Sequence, residues 1–462
     1  MPLIIKNPAT HQVIKTVKTD TKASLSQKLE TLKQGQKAWF AQPVEARSAI
    51  LMRFHDLLDA NTEELSATLT AEVGKPLQQS RNEINGARTR IKWLCTHAAK
   101  YLQDDWMVEE ADMGERIVYE PLGVVCNISA WNYPYLVGTN VIIPSLLAGN
   151  AVMYKPSEYA TLTGLHIQKL LLAAGVPDNV FAAAIGSGKV GATLLAMPFD
   201  GYFFTGSYKT GHYIYQKVAP KMVPCQLELG GKDPLYVAED VVDIKNVAIG
   251  TADGAFYNNG QSCCSVERIY VHENVYDAYV TAFVEEVKSW KIGDPTEGGV
   301  YIGPLTREAQ LTLLENQVKE ALEKGATLAY GGKRLDRVGN YFEPTVLTHV
   351  TNDMLVMQEE SFGPIIGIMK VKNDDEATLL MNDTPYGLTA AVYSASQQRA
   401  ENMLSNINSG SSYWNCCDRV SPALPWSGRK NSGVGATLSH IGLRAFTKPK
   451  AFHLRGNWEK LL

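Results

Sequence analysis

The sequence predicts an α/β protein with two parallel-sheet domains and a small β-hairpin. Short apolar runs alternate with helical stretches from Val124 to Ser207, and a second region of the same kind follows "LELGGKDP". A charged, alternating segment lies before both regions. Strands that alternate with helices are typical of βαβ crossovers, and ligands of such sheets bind at the carboxyl ends of the strands. We therefore expect two Rossmann-type domains.

The first hundred residues are predicted to be mostly helical. The segment "RSAILMRFHDLLDANTEEL" places five apolar side chains at helical intervals, which gives the helix one apolar face. These side chains are Ile50, Leu51, Phe54, Leu57 and Leu58. The charged segment "MVEEADMGERIVYEP" follows, and its alternation predicts an exposed hairpin.

The strands of the two sheets are predicted from short apolar runs. The first region contains "VVCNISA", "AVMYKPS", "VFAAAIG" and "GYFFTGS", with the helical "LTGLHIQKLLLAAGVPD" among them. The second contains "ERIYVHENVYDAYVTAF", "ATLAYGG", "IIGIMKV" and "AAVYSAS". Glycine and proline break the second region into units, at 293–295, 303–304 and 363–364.

No residue between Glu120 and Lys155 is charged, so this stretch is a candidate membrane span. Asparagines and prolines interrupt it, and a lipid-facing helix would leave their polar groups without partners. They are Asn127, Asn132, Pro134, Asn140, Pro144 and Asn150. We interpret the stretch as a buried strand, loop, helix and strand. The N-terminus shows no signal peptide, so we expect a soluble, cytoplasmic protein with no membrane partner.

Composition excludes further classes. The 462 residues carry a net charge of −4, whereas a nucleic-acid or anionic-membrane surface needs an excess of basic residues. Seven cysteines are too few, and odd in number, for a disulfide framework, which favours a reducing compartment. The length allows two or three domains.

Two glycine clusters follow predicted strands. "GSGKVG" contains Gly186, Gly188 and Gly191, the G-x-G-x-x-G spacing that brings a helix N-terminus to a pyrophosphate. It is not an ATP-binding P-loop, because valine follows the lysine. "FFTGSYKTG" places Gly206 and Ser207 at the next strand-to-helix turn, where the serine can cap the helix and bind phosphate. Each cluster is equally well explained as an ordinary strand-to-helix turn.

Adjacent cysteines occur at 263–264 and at 416–417. Neighbouring residues rarely reach disulfide geometry, and zinc sites usually separate paired ligands by two to four residues. We therefore expect no metal site. A single thiol of the first pair is then either a reactive nucleophile or an inert, small apolar side chain.

Six motifs occur together in one chain. They are "WNYP" (131–134), "KPSE" (155–158), "FTGS" (204–207), "LELGGKDP" (227–234), "NNGQSC" (258–263) and "EESFGP" (359–364). Together they resemble the aldehyde dehydrogenase superfamily, NAD(P)-dependent enzymes that oxidise aldehydes to carboxylic acids. The likeness extends from "NPAT" at Asn7 almost to the end of the chain, and it implies the fold of that superfamily.

The resemblance implies three catalytic residues. Cys263 matches the nucleophile, whose attack on an aldehyde gives a thiohemiacetal and then a thioester. Asn132 matches the side-chain donor to the oxyanion, with the backbone N–H of Cys263 as the second donor. Glu228 matches the base that activates water for hydrolysis, which argues against the CoA-acylating branch.

The resemblance also implies a dinucleotide site. Lys155 and Glu158 match residues that bind the adenosine ribose, and Glu158 would repel a 2′-phosphate, so NAD is favoured while NADP stays possible. The remaining cofactor-binding candidates come from the same motifs. They are Trp131, Gly188, Gly206, Ser207, Leu229, Glu360 and Phe362.

A substrate tunnel is expected to be aromatic and narrow. Tyr133, Trp426 and Cys264 are its predicted wall residues. The C-terminal signature departs from the family, because Thr437 stands where relatives often have a glutamate. Arg419 either meets a substrate carboxylate or is an ordinary solvated loop charge.

The resemblance divides the chain. Residues 1–101 and 121–231 are the expected dinucleotide-binding domain, and residues 232–435 the catalytic domain. Residues 102–120 and 436–462 are the expected oligomerisation arm of a homodimer or homotetramer.

The leading hypothesis is oxidation of a small aldehyde, such as the semialdehyde of succinate, with hydrolysis of the thioester. The alternatives are a CoA-acylating aldehyde dehydrogenase and a non-catalytic binding or structural relative.

Overall fold

The computed structural model describes residues 2–456. The first part of the chain, up to about residue 100, is mostly helical, as predicted. The helices are α1 (Lys22–Phe40), α2 (Val44–Ala60), α3 (Thr62–Val73) and α4 (Leu77–Leu102). An antiparallel hairpin that the sequence pattern did not reveal precedes them, formed by β1 (Leu3–Lys6) and β2 (Val13–Val17). On α2, Leu51, Phe54 and Leu58 are fully buried, which confirms the predicted apolar face.

The predicted hairpin is present and belongs to a three-stranded antiparallel sheet. Its strands are β3 (Asp105–Glu109) and β4 (Met113–Pro121). A late strand, Thr447–Arg455 (β22 in chain order), pairs with β4 along its whole length. The two segments expected to form an oligomerisation arm therefore lie side by side, although residues 457–462 of that prediction fall outside the described residues.

The first large sheet has six strands in the order β21-β9-β8-β5-β6-β7. All neighbours are parallel except β21, which runs antiparallel to β9. Its strands are β5 (Val124–Ile128), β6 (Ala151–Lys155), β7 (Phe181–Ala183), β8 (Gly201–Thr205), β9 (Cys225–Glu228) and β21 (Gly433–Val434). The central strands β6 and β8 are buried along their whole length, which explains why they read as continuous apolar runs.

Four helices connect these strands, followed by the 3₁₀ turn Ala219–Lys221. They are α5 (Pro134–Leu147), α6 (Thr161–Ala174), α7 (Gly188–Ala196) and α8 (Tyr208–Val218). The uncharged stretch from 120 to 155 is thus strand β5, a loop, the buried helix α5 and strand β6, as predicted. Of the helices within residues 2–456, none is long and apolar enough to cross a bilayer.

The second large sheet has seven strands in the order β14-β15-β16-β11-β10-β18-β19. Only the edge strand β14 is antiparallel to its neighbour. The strands are β10 (Asp233–Val237), β11 (Val266–His272), β14 (Thr327–Tyr330), β15 (Thr345–Thr348), β16 (Ile365–Val371), β18 (Thr389–Tyr393) and β19 (Ser411–Trp414). Two parallel-sheet units plus a hairpin are the predicted fold class, which is confirmed.

Helices cover this sheet, and short strand pairs lie at its margins. The helices are α9 (Ile244–Phe256), α10 (Tyr276–Ser289), α11 (Glu308–Glu323), α12 (Leu355–Gln358), α13 (Asp374–Asn382) and α14 (Gln397–Ser405). The last helix, α15 (Ser439–Arg444), packs instead against α4 and α5. The short strands are β12 (Lys291–Ile292), β13 (Val300–Ile302), β17 (Tyr386–Gly387) and β20 (Arg429–Lys430). The division into domains after residues 101, 120, 231 and 435 stays a prediction.

A buried ion pair holds the start of α5 against the N-terminal helices. The ammonium of Lys75 pairs with Glu83, both side chains are fully buried, and the Lys75 Nζ lies 3.7 Å from the centre of the Tyr133 ring. The second oxygen of Glu83 accepts a hydrogen bond from the backbone N–H of Tyr135 at 2.8 Å. This pair fixes the loop that carries residues 131–133.

We predict that Lys75→Met destabilises the protein by about 3–5 kcal/mol, because it leaves the Glu83 carboxylate buried without its counter-ion. Chemical denaturation of the purified protein measures the loss. The matched control is Lys33→Met, because Lys33 pairs with Glu30 on the surface and its loss should cost less than about 1 kcal/mol. Equal stability of the two variants would contradict the structural role given to the buried pair.

Candidate active site

Two cavities meet between the two large sheets, where the carboxyl ends of β5, β8 and β9 face the amino ends of β10, β11 and β16. The first cavity has a volume of about 340 Å³ and the second about 240 Å³. Residues 229–232 connect the last parallel strand of one sheet to the first strand of the other. Two side chains, Glu228 and Cys263, line both cavities.

Cys263 follows a tight loop that two left-handed asparagines shape. Asn258 and Asn259 have φ values of 53° and 58°, a region that asparagine tolerates better than most residues. The buried side chain of Gln261 donates to the Asn258 carbonyl at 3.2 Å and accepts from the Thr306 N–H at 3.0 Å. These bonds fix the loop, and the half-buried Cys263 comes two residues later.

Asn132 lies in the loop between β5 and α5 and is held against the same segment. Its amide nitrogen donates to the Gln261 carbonyl at 3.1 Å. A side-chain amide has two N–H donors, so one remains for a ligand. Asn132 is buried and lines the second cavity together with Cys263.

Glu228 is the last residue of β9, and its carboxylate points into both cavities. Burial raises its pKa to about 7. A hydrogen bond from the hydroxyl of Thr437 and the positive charge of Arg90 act in the opposite direction. At neutral pH this carboxyl group is therefore close to half ionised, which suits a group that takes up and releases a proton.

Cys264 is buried in the wall of the first cavity. Its thiol donates to the carboxylate of Asp418 at 3.0 Å. A hydrogen bond with the thiol of Cys263 and burial raise the pKa of Cys264 well above its ordinary value. Cys264 therefore stays protonated and is a poor nucleophile, since the thiolate is the reactive form.

The second cavity collects most of the predicted cofactor-binding residues. They are Trp131, Gly206, Ser207, Leu229, Glu360 and Phe362. The rings of Trp131 and Phe362 meet edge to face, with 5.5 Å between their centres. The backbone of Gly230 packs closely against the Glu360 carboxylate, because a Cβ atom at this position would lie 2.3 Å from a carboxylate oxygen of Glu360.

Ser207 occupies the N-cap position of α8, but its hydroxyl makes no capping hydrogen bond. It donates instead to the hydroxyl of Thr210 at 3.2 Å, so the expectation of a side-chain cap is wrong. The neighbouring glycine cluster does have one, because Ser187 accepts from the Lys189 N–H at the start of α7.

Three predicted cofactor residues lie outside the lining of the second cavity. Lys155 ends β6, and its Nζ lies 3.6 Å from a Glu158 oxygen and donates to the Pro156 carbonyl at 3.1 Å. Gly188 begins α7, and a Cβ atom there would meet nothing within 4 Å. A Cβ atom at Gly191 would lie 3.7 Å from Lys155, so the three residues share one corner of the sheet.

The residues present fit a bound dinucleotide. Burial raises the pKa of Glu360 to about 8, with the nearby charge of Glu267 as a further cause. In the described part of the chain its only hydrogen-bond donor is the Gly231 N–H at 3.1 Å. Ribose hydroxyls would supply the missing donors, and the cavity lies at the carboxyl ends of β5, β8 and β9, where such sheets bind nucleotides.

The first cavity contains the predicted tunnel residues and several that the sequence pattern did not reveal. Tyr133, Trp426 and Arg419 line it, and Arg419 is exposed at the same time. Arg90, Asn140, Asp253, Asp418 and Val420 also line it. Thr437, identified from the sequence only as a departure from the family, touches Glu228 directly and pairs its backbone with Trp426.

This geometry can be compared with known proteins. The profile of the Aldehyde dehydrogenase family matches residues 3–452. The chain belongs to the aldehyde dehydrogenase family. Its members are NAD(P)-dependent oxidoreductases, and this aldehyde dehydrogenase accordingly oxidises an aldehyde with NAD(P).

Relatives cover nearly the whole enzyme. A succinate-semialdehyde dehydrogenase [NADP(+)] of Deinococcus radiodurans is 32% identical, over 97% of this chain and 94% of that protein. The crystal structure of an NADP-dependent enzyme of E. coli superposes with a TM-score of 0.96 at 30% identity, covering 98% of this chain and 95% of the other. An NAD-dependent aldehyde dehydrogenase of Sinorhizobium meliloti superposes with a TM-score of 0.95 at 30% identity, covering 98% and 91%.

Proposed function

We propose that this aldehyde dehydrogenase works by covalent catalysis at Cys263, followed by hydrolysis through Glu228. The observation that supports this most strongly is that both side chains line both cavities. A substrate entering the first cavity and a nicotinamide held in the second would meet only at these two residues.

In the first half of the reaction, the thiolate of Cys263 attacks the aldehyde carbon. The free N–H of Asn132 and the backbone N–H of Cys263 donate to the oxyanion of the thiohemiacetal, which oxyanion holes typically stabilise by about 3 kcal/mol per donor. When bound, the nicotinamide supplies the acceptor for the hydride that leaves this carbon, and a thioester on Cys263 remains.

In the second half, Glu228 takes a proton from a water molecule that attacks the thioester. A base with a pKa near the working pH combines a useful ionised fraction with a useful basicity, and the pKa of about 7 meets this condition. Glu228 also supports the hydrolytic route over the CoA-acylating one, and turnover without added CoA is expected.

For the cofactor, we propose a preference for NAD over NADP. The carboxylate of Glu158 lies beside Lys155, at the corner where the adenosine ribose is expected. It can accept hydrogen bonds from ribose hydroxyls, but its negative charge repels a 2′-phosphate.

For the substrate, we propose a small aldehyde such as the semialdehyde of succinate, the substrate that names the Deinococcus relative. We further propose a cytoplasmic homodimer or homotetramer. All seven cysteines are free, which suits a reducing compartment, and the sheet β22-β4-β3 offers edge strands for pairing between subunits.

The decisive experiment replaces each thiol of the pair. Cys263→Ala should lower the rate of NADH formation by roughly 10⁴-fold or more, because the nucleophile is lost. Cys264→Ala is the matched control and should stay within roughly threefold of the wild type, because a buried thiol of high pKa is inert. The readout is NADH absorbance across an aldehyde panel. A Cys263→Ala enzyme that still turns over would refute the proposal.

The ionisation of Glu228 predicts the pH profile. A base works only when deprotonated, so turnover limited by hydrolysis should rise as the pH rises through about 7 and then level off. Thr437→Val removes a donor to the carboxylate and should raise the midpoint by roughly 0.5–1 pH unit. Thr437→Ser keeps the hydroxyl and should leave the midpoint in place. An unchanged midpoint in the valine variant would contradict the role of Thr437.

The cofactor preference is tested with Glu158→Gln. Removing the negative charge should raise kcat/KM for NADP relative to NAD by about tenfold, since repulsion between like charges at a binding site is relieved. Initial rates at several concentrations of each dinucleotide give the ratio. Glu64→Gln, which changes an exposed carboxylate on α3, is the control. If Glu158→Gln has the same ratio of kcat/KM for NADP to kcat/KM for NAD as the wild type, Glu158 does not lie near the 2′-phosphate.

A further inference from the structure

The first cavity contains a buried cation without a counter-ion. Arg90 lies on the buried face of α4 and is only 8% exposed. Its Nη1 donates to the side-chain oxygen of Asn140 at 2.9 Å, and this amide is neutral. In residues 2–456 no carboxylate forms an ion pair with Arg90. A guanidinium has five N–H donors, so most of its donors remain for a ligand in the cavity.

Such an arrangement is unfavourable for the free protein. A charge taken out of water is tolerated when it is paired or when its function requires it. Arg90 lines the same cavity as Cys263 and Glu228 and forms no hydrogen bond with either of them. The positive charge is therefore directed at the region where the substrate lies in the proposed function.

The carboxylates of this cavity, by contrast, already have donors. Glu228 accepts from the hydroxyl of Thr437. Asp418 accepts from the Cys264 thiol at 3.0 Å and from the Ser262 hydroxyl at 3.4 Å.

The third carboxylate, Asp253, is exposed and accepts from the hydroxyl of Tyr301. Glu228 and Asp418 can also lose their charge, because burial raises the pKa of each to about 7. The guanidinium of Arg90 cannot, and it stays a buried cation whose hydrogen-bond acceptor is a neutral amide. A second cation, Arg419, lines the cavity and is exposed, and no ion pair is formed by it among the described residues.

We infer that Arg90 binds an anionic group of the substrate, so that the enzyme selects short aldehydes with a carboxylate at the far end. The inference rests on the proposed function, which it deepens by assigning the specificity to one side chain. A guanidinium binds a carboxylate through two parallel N–H···O bonds, and the planar fork also fixes the orientation of the ligand. Arg419 attracts the same anion from the exposed side of the cavity.

The experiment compares three aldehydes of similar length that differ in terminal charge. They are succinate semialdehyde, its neutral methyl ester and 4-trimethylammoniobutanal. The enzymes are the wild type, Arg90→Met, Arg90→Lys and the matched control Arg88→Met. Arg88 lies on the same helix but pairs with Asp59 at 2.7 Å, and Arg88 is not part of the cavity lining.

The wild type should prefer the anionic aldehyde over both others in kcat/KM. Arg90→Met should lower kcat/KM for the anionic aldehyde by about a hundredfold, the usual effect of removing one partner of a buried, hydrogen-bonded charge pair. Loss of the Arg90 charge also raises the pKa of Glu228, which affects all three aldehydes alike. The ratio of kcat/KM for the anionic aldehyde to that for the methyl ester should therefore carry most of the hundredfold loss, and Arg90→Lys should recover part of the preference. Arg88→Met should behave as the wild type.

Two kinetic outcomes would overturn the inference. Equal losses for the anionic and neutral aldehydes in Arg90→Met would mean that Arg90 acts on Cys263 and Glu228 instead of the substrate. A wild type that shows no preference for the anion, or prefers the cation, would refute the inference while leaving the proposed function intact.

A binding measurement keeps the test independent of turnover. Butyrate should protect Cys263 of the wild type from alkylation by iodoacetamide, and butyramide should protect it less. Protection by butyrate should disappear in Arg90→Met and persist in Arg88→Met. If no aldehyde is oxidised but butyrate protects, the proposed function fails and the anion site stands. If butyrate and butyramide protect the wild type equally, the anion site is refuted even where Arg90→Met does not fold.

Discussion

A buried ion pair behind the cavities holds the parts of the site in register. The ammonium of Lys232, in the connection between the two sheets, lies 2.6 Å from a carboxylate oxygen of Glu267 on β11. Glu267 also accepts hydrogen bonds from the backbone N–H groups of Ser361 and Phe362, each at 3.0 Å. The Glu267 carboxylate thus links three segments to one another. These are the connection between the sheets at Lys232, strand β11 and the segment at residues 360–362. A buried ion pair of this kind adds little to the net free energy of unfolding, because its formation removes two charges from water. Loss of one partner, however, would remove the contacts that hold all three segments together.

The same pair supports backbone that would otherwise be unfavourable. Phe362 has a φ of 45°, in a region that a bulky side chain rarely adopts and that costs about 1–3 kcal/mol. Its N–H is held by Glu267, and its ring packs against Trp131 at the edge of the second cavity. Asn258 and Asn259 are the corresponding strained positions of the cysteine loop, with the buried Asn258 side chain donating to the carbonyls of Asn132 and Gln261 at 3.2 Å. The cysteine loop and the Phe362 segment are thus each held by hydrogen bonds to buried groups, and both line the second cavity.

Much of this architecture is readable in the sequence, because parallel strands buried on both faces leave continuous apolar runs, and four of the six motifs lie at the carboxyl ends of strands in the first sheet. The motifs around Cys263 and Glu228 were sufficient to bring these two residues together. Arg90 was not predictable, since an arginine on an amphipathic helix is normally solvated and α4 buries several polar side chains on its inner face. Asp418 and its contact with Cys264 depend on a loop whose path has no periodic signal. The two-residue strands at 291–292 and 386–387 are likewise too short to leave a pattern.

The cavity chemistry follows from a balance among three effects on one carboxyl group. Burial alone would keep Glu228 protonated and useless as a base, whereas exposure to water would make it a weak base and admit solvent to the thioester at all times. The Thr437 hydroxyl and the Arg90 charge oppose the effect of burial, so the pKa comes to about 7. The carboxylate of Glu228, when ionised, in turn attracts Arg90 through space. An anionic substrate at Arg90 would weaken that arginine's support of the ionised Glu228, so binding of the substrate and readiness of the base are linked through a single guanidinium.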